Sequence, residues 1–470
     1  MFDVIGKNPG HVIGSTACLG GAIPTQLLRL QANPSLDLFE KIKTWIRQMN
    51  DLFGQDNFYL ELQPSESHEQ TYVNRKLINL SEELNVPYII TTDSHYLKKE
   101  DADIHEAFLN AQDGDREVKS FYATTYMMDT EELESHMDLT DEELQTAYRN
   151  IKHIKDMCED YSLMKPLKIP QLMWKHPWNN NPPKCLIDEI PYFKTFLDSD
   201  YIGDKELIYH ITDKIYSNKN LQTDKIYEAI NECLKMTWIS SEVNKTHWSA
   251  YYLNLQKIIE ECWNAGTLVG CGRGSGVGFI LLYLLDITQI NPQWESTKTF
   301  AWRFLNPDRV SVLDVDVDIE GGRRKQVLDH LRHVYGQDRV ANVATFGTEK
   351  SKSAILTACR GLGIDVDIAQ YLSSMIVSDR GQLRSLKQTF YGDEEAGFTP
   401  NKQFIFEMTE NYPEVWAVAQ KIEGLVCRLG EHAGGVIFVD EPFTESTALM
   451  RAPNGDIITQ YDLHDCEDVS

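Results

Sequence analysis

The chain has 470 residues, 42% hydrophobic and 25% charged, a composition that fits two or three globular domains with cores of their own. Its 45 basic and 71 acidic residues leave a net charge of −26, which excludes nucleic-acid binding through a uniformly basic surface. Nine scattered cysteines without a C-x-x-C pair exclude a zinc ribbon or disulfide framework and point to a reduced, cytoplasmic compartment, and the longest strongly apolar run, Val277 to Leu285, is far below the ~20 residues that span a bilayer.

Residues 1–128 read as alternating strands and helices. Val12-Ile13-Gly14 predicts a strand, Leu36 to Met49 an amphipathic helix, Phe58 to Leu62 a strand and Val73 to Leu84 a helix. Pro87 to Thr92 then leads into Asp93-Ser94-His95, an Asp-x-His at the C-terminal end of a strand. A carboxylate and an imidazole there suit metal ligation in an α/β barrel. A strand-end turn held by a His–Asp hydrogen bond accounts for the same residues.

Asp129 to Glu143 carries eight acids and no Lys or Arg, and 129–165 reads as acidic and helical. Ile169 to Pro183, with Asn179-Asn180-Asn181, reads as a loop, and Glu189 to Gly266 as helical. Next comes Val269-Gly270-Cys271-Gly272-Arg273-Gly274-Ser275-Gly276-Val277-Gly278, followed by the apolar run Phe279 to Leu285. That is a glycine-rich turn opening a buried helix, where free N–H groups and the helix dipole favour phosphate; a plain tight turn is the simpler reading.

Leu313 to Ile319 alternates apolar and acidic residues, the pattern of a half-buried β-strand. Asp314, Asp316 and Asp318 then project from one face, roughly 6.5–7 Å apart. Three like charges in a row destabilise a sheet unless a cation offsets them, and Mg²⁺ takes such oxygen ligands together with substrate phosphates. Arg303, Arg309, Arg323, Arg324, Lys325, Arg332 and Arg339 gather around this stretch in the sequence, so the bulk negative charge reads as solubility and the local clusters as function.

Gly272-Arg273-Gly274-Ser275, Arg303-Phe304-Leu305-Asn306-Pro307-Asp308-Arg309, Asp314 to Asp318, Thr345-Phe346-Gly347-Thr348, His432-Ala433-Gly434-Gly435-Val436 and Thr459-Gln460-Tyr461-Asp462 together resemble the palm motifs of the C-family replicative DNA polymerase, the bacterial DNA polymerase III alpha subunit. Ala17-Cys18-Leu19-Gly20-Gly21, Tyr59 to Leu62 and Asp93 to Leu97 resemble the later half of that family's PHP (polymerase and histidinol phosphatase) domain. Leu313, Ile319 and Glu431 depart from the usual Pro, Phe and small or apolar residue, which marks a divergent, bacterial or phage-borne member.

The resemblance implies an α/β and α+β multidomain chain: a partial PHP α/β barrel over 1–128, a helical linker and the first part of a polymerase-beta-like nucleotidyltransferase palm with a mixed sheet over 129–345, a helical thumb over 346–423, and a return to the palm over 424–470. It implies template-directed deoxynucleotidyl transfer in DNA replication, with primer–template DNA and deoxynucleoside triphosphates as substrates, replisome subunits as partners and no membrane. Asp314 and Asp316 would hold two Mg²⁺ ions, while Asp318 matches a position that is not essential. Arg273, Gly274, Ser275 and Arg303 would hold the triphosphate, and Lys352 and Arg360 on the thumb would contact DNA phosphates. Cys18, Asp93 and His95 would bind Zn²⁺ or Mn²⁺ in metal-binding PHP domains. His432 either contacts substrate or makes a structural hydrogen bond in a turn.

On the same grounds the chain is expected to be a middle piece, with the opening PHP ligands before it and the third catalytic aspartate, fingers and later polymerase segments after it. A catalytically incomplete remnant that binds DNA or partners is the alternative expectation. A PHP-type metal phosphoesterase is the third.

Overall fold

Phe58 to Leu62 is almost wholly apolar and β-prone, the composition of a strand buried on both faces. In the computed structural model, which describes residues 2–7, 9–113, 122–165, 168–171, 182–294, 300–306, 315–379 and 381–469, it is the middle of a three-stranded parallel sheet. Gly14–Ser15 pairs with it on one side, in register Gly14 to Phe58, and Tyr88–Ile90 on the other, in register Leu60 to Tyr88. Helices Leu36–Phe53 and His68–Leu84 start at Ser35 and Ser67, whose hydroxyls accept the N–H groups of Leu38 and Gln70. Their apolar faces close over the sheet in a core that includes Leu27, Ile46, Leu60, Val73 and Leu77. Among the described residues this sheet is open, not a closed barrel.

The chain divides into two compact units, residues 1–161 with 348–427, and residues 162–347 with 428–470. The acidic helix Asp141–Met157, expected to begin a linker, belongs to the first unit. It opens on a capping box between Thr140 and Glu143 and packs on the strand Tyr88–Ile90, where Asn150 donates to the Tyr88 carbonyl at 2.8 Å. The first unit also contains a helical cluster. Helices Ser351–Gly361 and Val366–Ser374, predicted over 350–362 and 366–376, share a core with Phe404, Met408, Val415 and Ala419. Helix Ser351–Gly361 crosses helix Ala102–Asp113 closely enough that a Cβ on Gly361 would lie 1.9 Å from the Ala107 carbonyl oxygen.

The second unit holds a four-stranded sheet in the spatial order Val426–Phe438, Val340–Thr348, Ile457–Thr459, Leu449–Arg451. Asn342 and Ile458 mark a parallel pair, and Leu449 to Thr459 an antiparallel one. Its largest core unites helices Ile202–Ser217, Asp224–Asn244 and Trp248–Asn264 with the predicted apolar run. Phe279, Leu281 and Leu282 are fully buried there, each worth about 1.5–3 kcal/mol of burial. The run forms the short helix Ile280–Leu284, and it anchors the glycine turn that precedes it. Among the described residues no helix is long and apolar enough to cross a membrane.

Candidate active site

Of the stretch expected as an acidic strand, the described residues 315–319 make one ladder contact, an antiparallel bridge from Ile319 to Val269. Its neighbour is the glycine turn, not a sheet strand, so there is no continuous ladder to define a strand over 315–319. The alternation nevertheless holds. Val315, Val317 and Ile319 are half-buried against the core, while Asp316 and Asp318 are exposed on the opposite face. Asp314 and Arg309 lie outside the described residues.

The glycine turn is docked on this segment through its backbone. Gly270 N–H donates to the Asp318 carbonyl at 2.8 Å, and Glu320 N–H donates to the Leu268 carbonyl at 3.3 Å. A Cβ on Gly270 would stand 2.9 Å from the Asp318 Cβ, so any side chain there forces the two segments apart. Gly274 has φ +68° and ψ −156°, a backbone state nearly closed to residues with a Cβ. That twist starts the one-turn helix Ser275–Gly278 and brings the Gly274 backbone opposite the Asp316 carboxylate, with 3.8 Å between Oδ2 and the Cβ position. Ser275 is exposed beside it.

Arg273 is the cation that offsets the carboxylates. Its Nε lies 3.3 Å from Asp316 Oδ2 and its Nη1 3.4 Å from Asp318 Oδ1. All three side chains are about half exposed, and such pairs are worth roughly 0.2–1 kcal/mol. A phosphate or a metal ion can therefore displace the guanidinium at small cost. Arg303 is exposed on the one-turn helix Ala301–Arg303. Phe304 fixes that turn beside the glycine loop: its ring is 4.9 Å from Phe279, and its edge 3.6 Å from the Cβ position of Gly276.

Three other basic residues near the acidic segment are engaged within the fold. Arg323 donates to the Gly266 carbonyl at 2.9 Å and pairs with Glu320, and Arg332 pairs with Asp329. Arg324 lies 3.3 Å from Glu431, which also accepts from the Asn342 amide. This pairing accommodates a carboxylate where the family pattern has a small or apolar residue. His432 does not sit in a turn. It lies within the strand Val426–Phe438, and its Nδ1 accepts the N–H groups of Gly434 and Gly435 at 3.1 and 2.6 Å.

In the first unit, Asp93 takes a left-handed backbone, φ 48°, just beyond the strand Tyr88–Ile90, and lies 3.6 Å from His95 Nε2. Cys18 follows Gly14–Ser15 at the same end of the sheet and is half-buried. Among the described residues no three His, Cys, Asp or Glu side chains are grouped to hold a metal ion, so Cys18, Asp93 and His95 are not gathered into a ligand set. The sequence reading also missed His105. Its ring stands 5.9 Å from that of His95, and burial, then the neighbouring His95, pushes its pKa down. Helical spacing alone gives no signal for that approach. Of the two basic residues expected to contact DNA, Lys352 is half-buried, and Arg360 donates to the Ala111 carbonyl at 3.3 Å.

A family model described as the bacterial DNA polymerase III alpha NTPase domain matches residues 205–470, which include the glycine turn, the acidic segment and the four-stranded sheet. The chain belongs to the bacterial DNA polymerase III alpha family. It is similar along its length to the probable DNA polymerase YorL of Bacillus subtilis and to a DNA-directed DNA polymerase of Bacillus phage SPbeta, each 40% identical over 99% of this chain. The DNA polymerase III subunit alpha of Aquifex aeolicus is 26% identical over all of it. The chain spans 37% of the length of the first two relatives and 39% of the third.

Proposed function

We propose that the second unit carries the palm of a template-directed DNA polymerase, with a nucleotidyltransferase-type active site built on Asp314, Asp316 and the Arg273-Gly274-Ser275 turn. One observation carries this reading: an exposed carboxylate pair held by backbone contacts against a glycine turn whose arginine bridges both carboxylates. Membership of the polymerase III alpha family supports it, as do the hard oxygen donors of Asp316 and Asp318, which suit Mg²⁺.

In this reading Gly274 and Ser275 bind the triphosphate through backbone N–H and hydroxyl groups. Arg273 swings from the carboxylates to the phosphates, and Arg303 neutralises further charge. Asp314 and Asp316 would hold the divalent ions at the place where the primer 3′-hydroxyl meets the α-phosphate. Bound Mg²⁺ supplies charge stabilisation for the attacking and leaving oxygens. Primer–template DNA is the second substrate, with Lys352 contributing phosphate contacts and Arg360 only what its bond to Ala111 leaves free. The setting is a cytoplasmic replication complex. Cys18, Asp93 and His95 are the weaker metal candidates, and a phosphoesterase reading would rest on them.

The test is direct binding of fluorescent deoxynucleotides to the purified chain. Arg273→Ala and Ser275→Ala should each weaken binding about tenfold, a change of ~1.4 kcal/mol, and equally for all four bases. Loss confined to one base would contradict the phosphate cradle.

A further inference from the structure

The turn that carries Arg303 presents more than a cation. Phe300 and Trp302 are 53% and 57% exposed, with ring centroids 6.0 Å apart, while the next two residues, Phe304 and Leu305, are buried. Leaving two large rings in water forgoes about 1.5–3 kcal/mol apiece. The turn is also rigid. Arg303 N–H donates to the Phe300 carbonyl at 3.1 Å, Phe304 and Leu305 both donate to the Ala301 carbonyl, and Phe304 is wedged beside Phe279. These bonds fix the backbone that carries both rings, which reduces the ordering that binding must impose.

Arg303 completes the pattern. Arg273, Arg323, Arg324 and Arg332 are each paired with a carboxylate, whereas Arg303 has no ion pair among the described residues. An unpaired guanidinium directly after an exposed indole, with an exposed phenyl three residues before it, matches what a single-stranded polynucleotide offers: flat base faces at intervals along an anionic backbone. A protein partner would not need the free cation. An anionic lipid surface is recognised by clusters of several Lys and Arg, whereas a single stacked base and its phosphate need one cation beside the rings.

We propose that Phe300 and Trp302 form a stacking platform for unpaired bases of single-stranded DNA, with Arg303 on the adjoining phosphate. The proposal rests on the polymerase reading only in taking DNA as the substrate. In the reaction, the platform would hold template bases that have not yet been copied.

The test uses the purified 470-residue chain and fluorescence anisotropy of a short labelled oligothymidylate, with an abasic oligonucleotide of equal length as the charge-only probe. Trp302→Ala should weaken oligothymidylate binding about tenfold, and Trp302→Phe should retain most of it. On the abasic probe the two variants should match the native chain, and binding of dTTP should be unchanged. Because Trp302 is exposed, thermal melts of both variants should overlay that of the native chain. The proposal is overturned if the native chain does not bind the oligothymidylate, if Trp302→Ala binds it as well as native, if the abasic probe loses as much, or if the loss falls on dTTP instead. Failure of Arg273→Ala and Ser275→Ala in the nucleotide assay would sink the phosphate cradle and leave this result standing.

Discussion

Asp316 and Asp318 carry the same side chain on the same exposed face, yet their surroundings differ. The Asp316 Oδ2 lies 3.8 Å from the position a Cβ on Gly274 would occupy. Asp318 is engaged through its main chain, which accepts the Gly270 N–H and lies against the missing Cβ of that glycine. We therefore expect Asp316→Asn to lower primer-extension turnover by about 10²-fold or more in any preparation that extends a primer, and Asp318→Asn to cost far less. Steady-state rates on a labelled primer check this, and equal losses would show that the ligand assignment is wrong. At this scale the sequence was a good guide to which side chains face outward and a poor one to their partners. The apolar–acidic alternation correctly gave the outward face of Asp316 and Asp318. It gave no sign that Arg273 would bridge them, since that contact joins residues more than forty positions apart. Nor did a run of basic residues reveal that Arg323, Arg324 and Arg332 are consumed by Glu320, Glu431 and Asp329.

Elements with strong local signals formed where the sequence placed them. Phe58–Leu62 has the bounds its composition suggests, and helix Ser351–Gly361 differs from the expectation by one residue at each end. Less legible were contacts made by missing atoms. Gly361 ends a helix and reads as an ordinary stop signal, but it also lets helix Ala102–Asp113 approach. Gly361→Ala should cost about 1–3 kcal/mol, measured by chemical denaturation, because its methyl group meets backbone and not a movable side chain. Leu282→Ala, in the helix that supports the glycine turn, should cost ~2–5 kcal/mol by the same measurement and weaken nucleotide binding as the turn loses its backing.

The acidic helix gives a pH-dependent prediction. Burial pushes the Glu143 carboxyl up, but the Thr140 N–H and hydroxyl and the Arg75 guanidinium together hold it below the ordinary value of 4.5. Its stabilising effect is therefore present above that value and is lost as pH falls through it. Glu143→Gln should melt earlier than native at pH 7, and the gap in Tm should close on acidification below the ordinary glutamate range. A gap independent of pH would mean that packing, not charge, is what the substitution removes.

Across the whole molecule the charge of −26 sets how DNA can be held. Most phosphate-binding energy must come from a few local cations, Arg303 among them in the second unit. The salt dependence of oligonucleotide binding should accordingly be shallow, with a slope in log K against log salt near −2, or about 0.7 per phosphate. A slope several times steeper would require a basic surface that the described residues do not supply. The sequence carried the family and the glycine turn, because those depend on short contiguous stretches. It did not reveal that residues 1–161 and 348–427 make one compact unit, since the pairing of helices Ala102–Asp113 and Ser351–Gly361 links positions about 250 apart and depends on Gly361 and Ala107 side by side.

The central claim is that the turn and the acidic segment form one metal-dependent nucleotide site. Its most direct test is a titration of dTTP into the chain with and without Mg²⁺, repeated for Asp314→Asn, Asp316→Asn and Asp318→Asn. The account predicts that Mg²⁺ tightens binding about tenfold or more in the native chain, that Asp314→Asn and Asp316→Asn abolish this gain, and that Asp318→Asn keeps most of it. Binding that ignores Mg²⁺, or a gain that survives the loss of both Asp314 and Asp316, would contradict it.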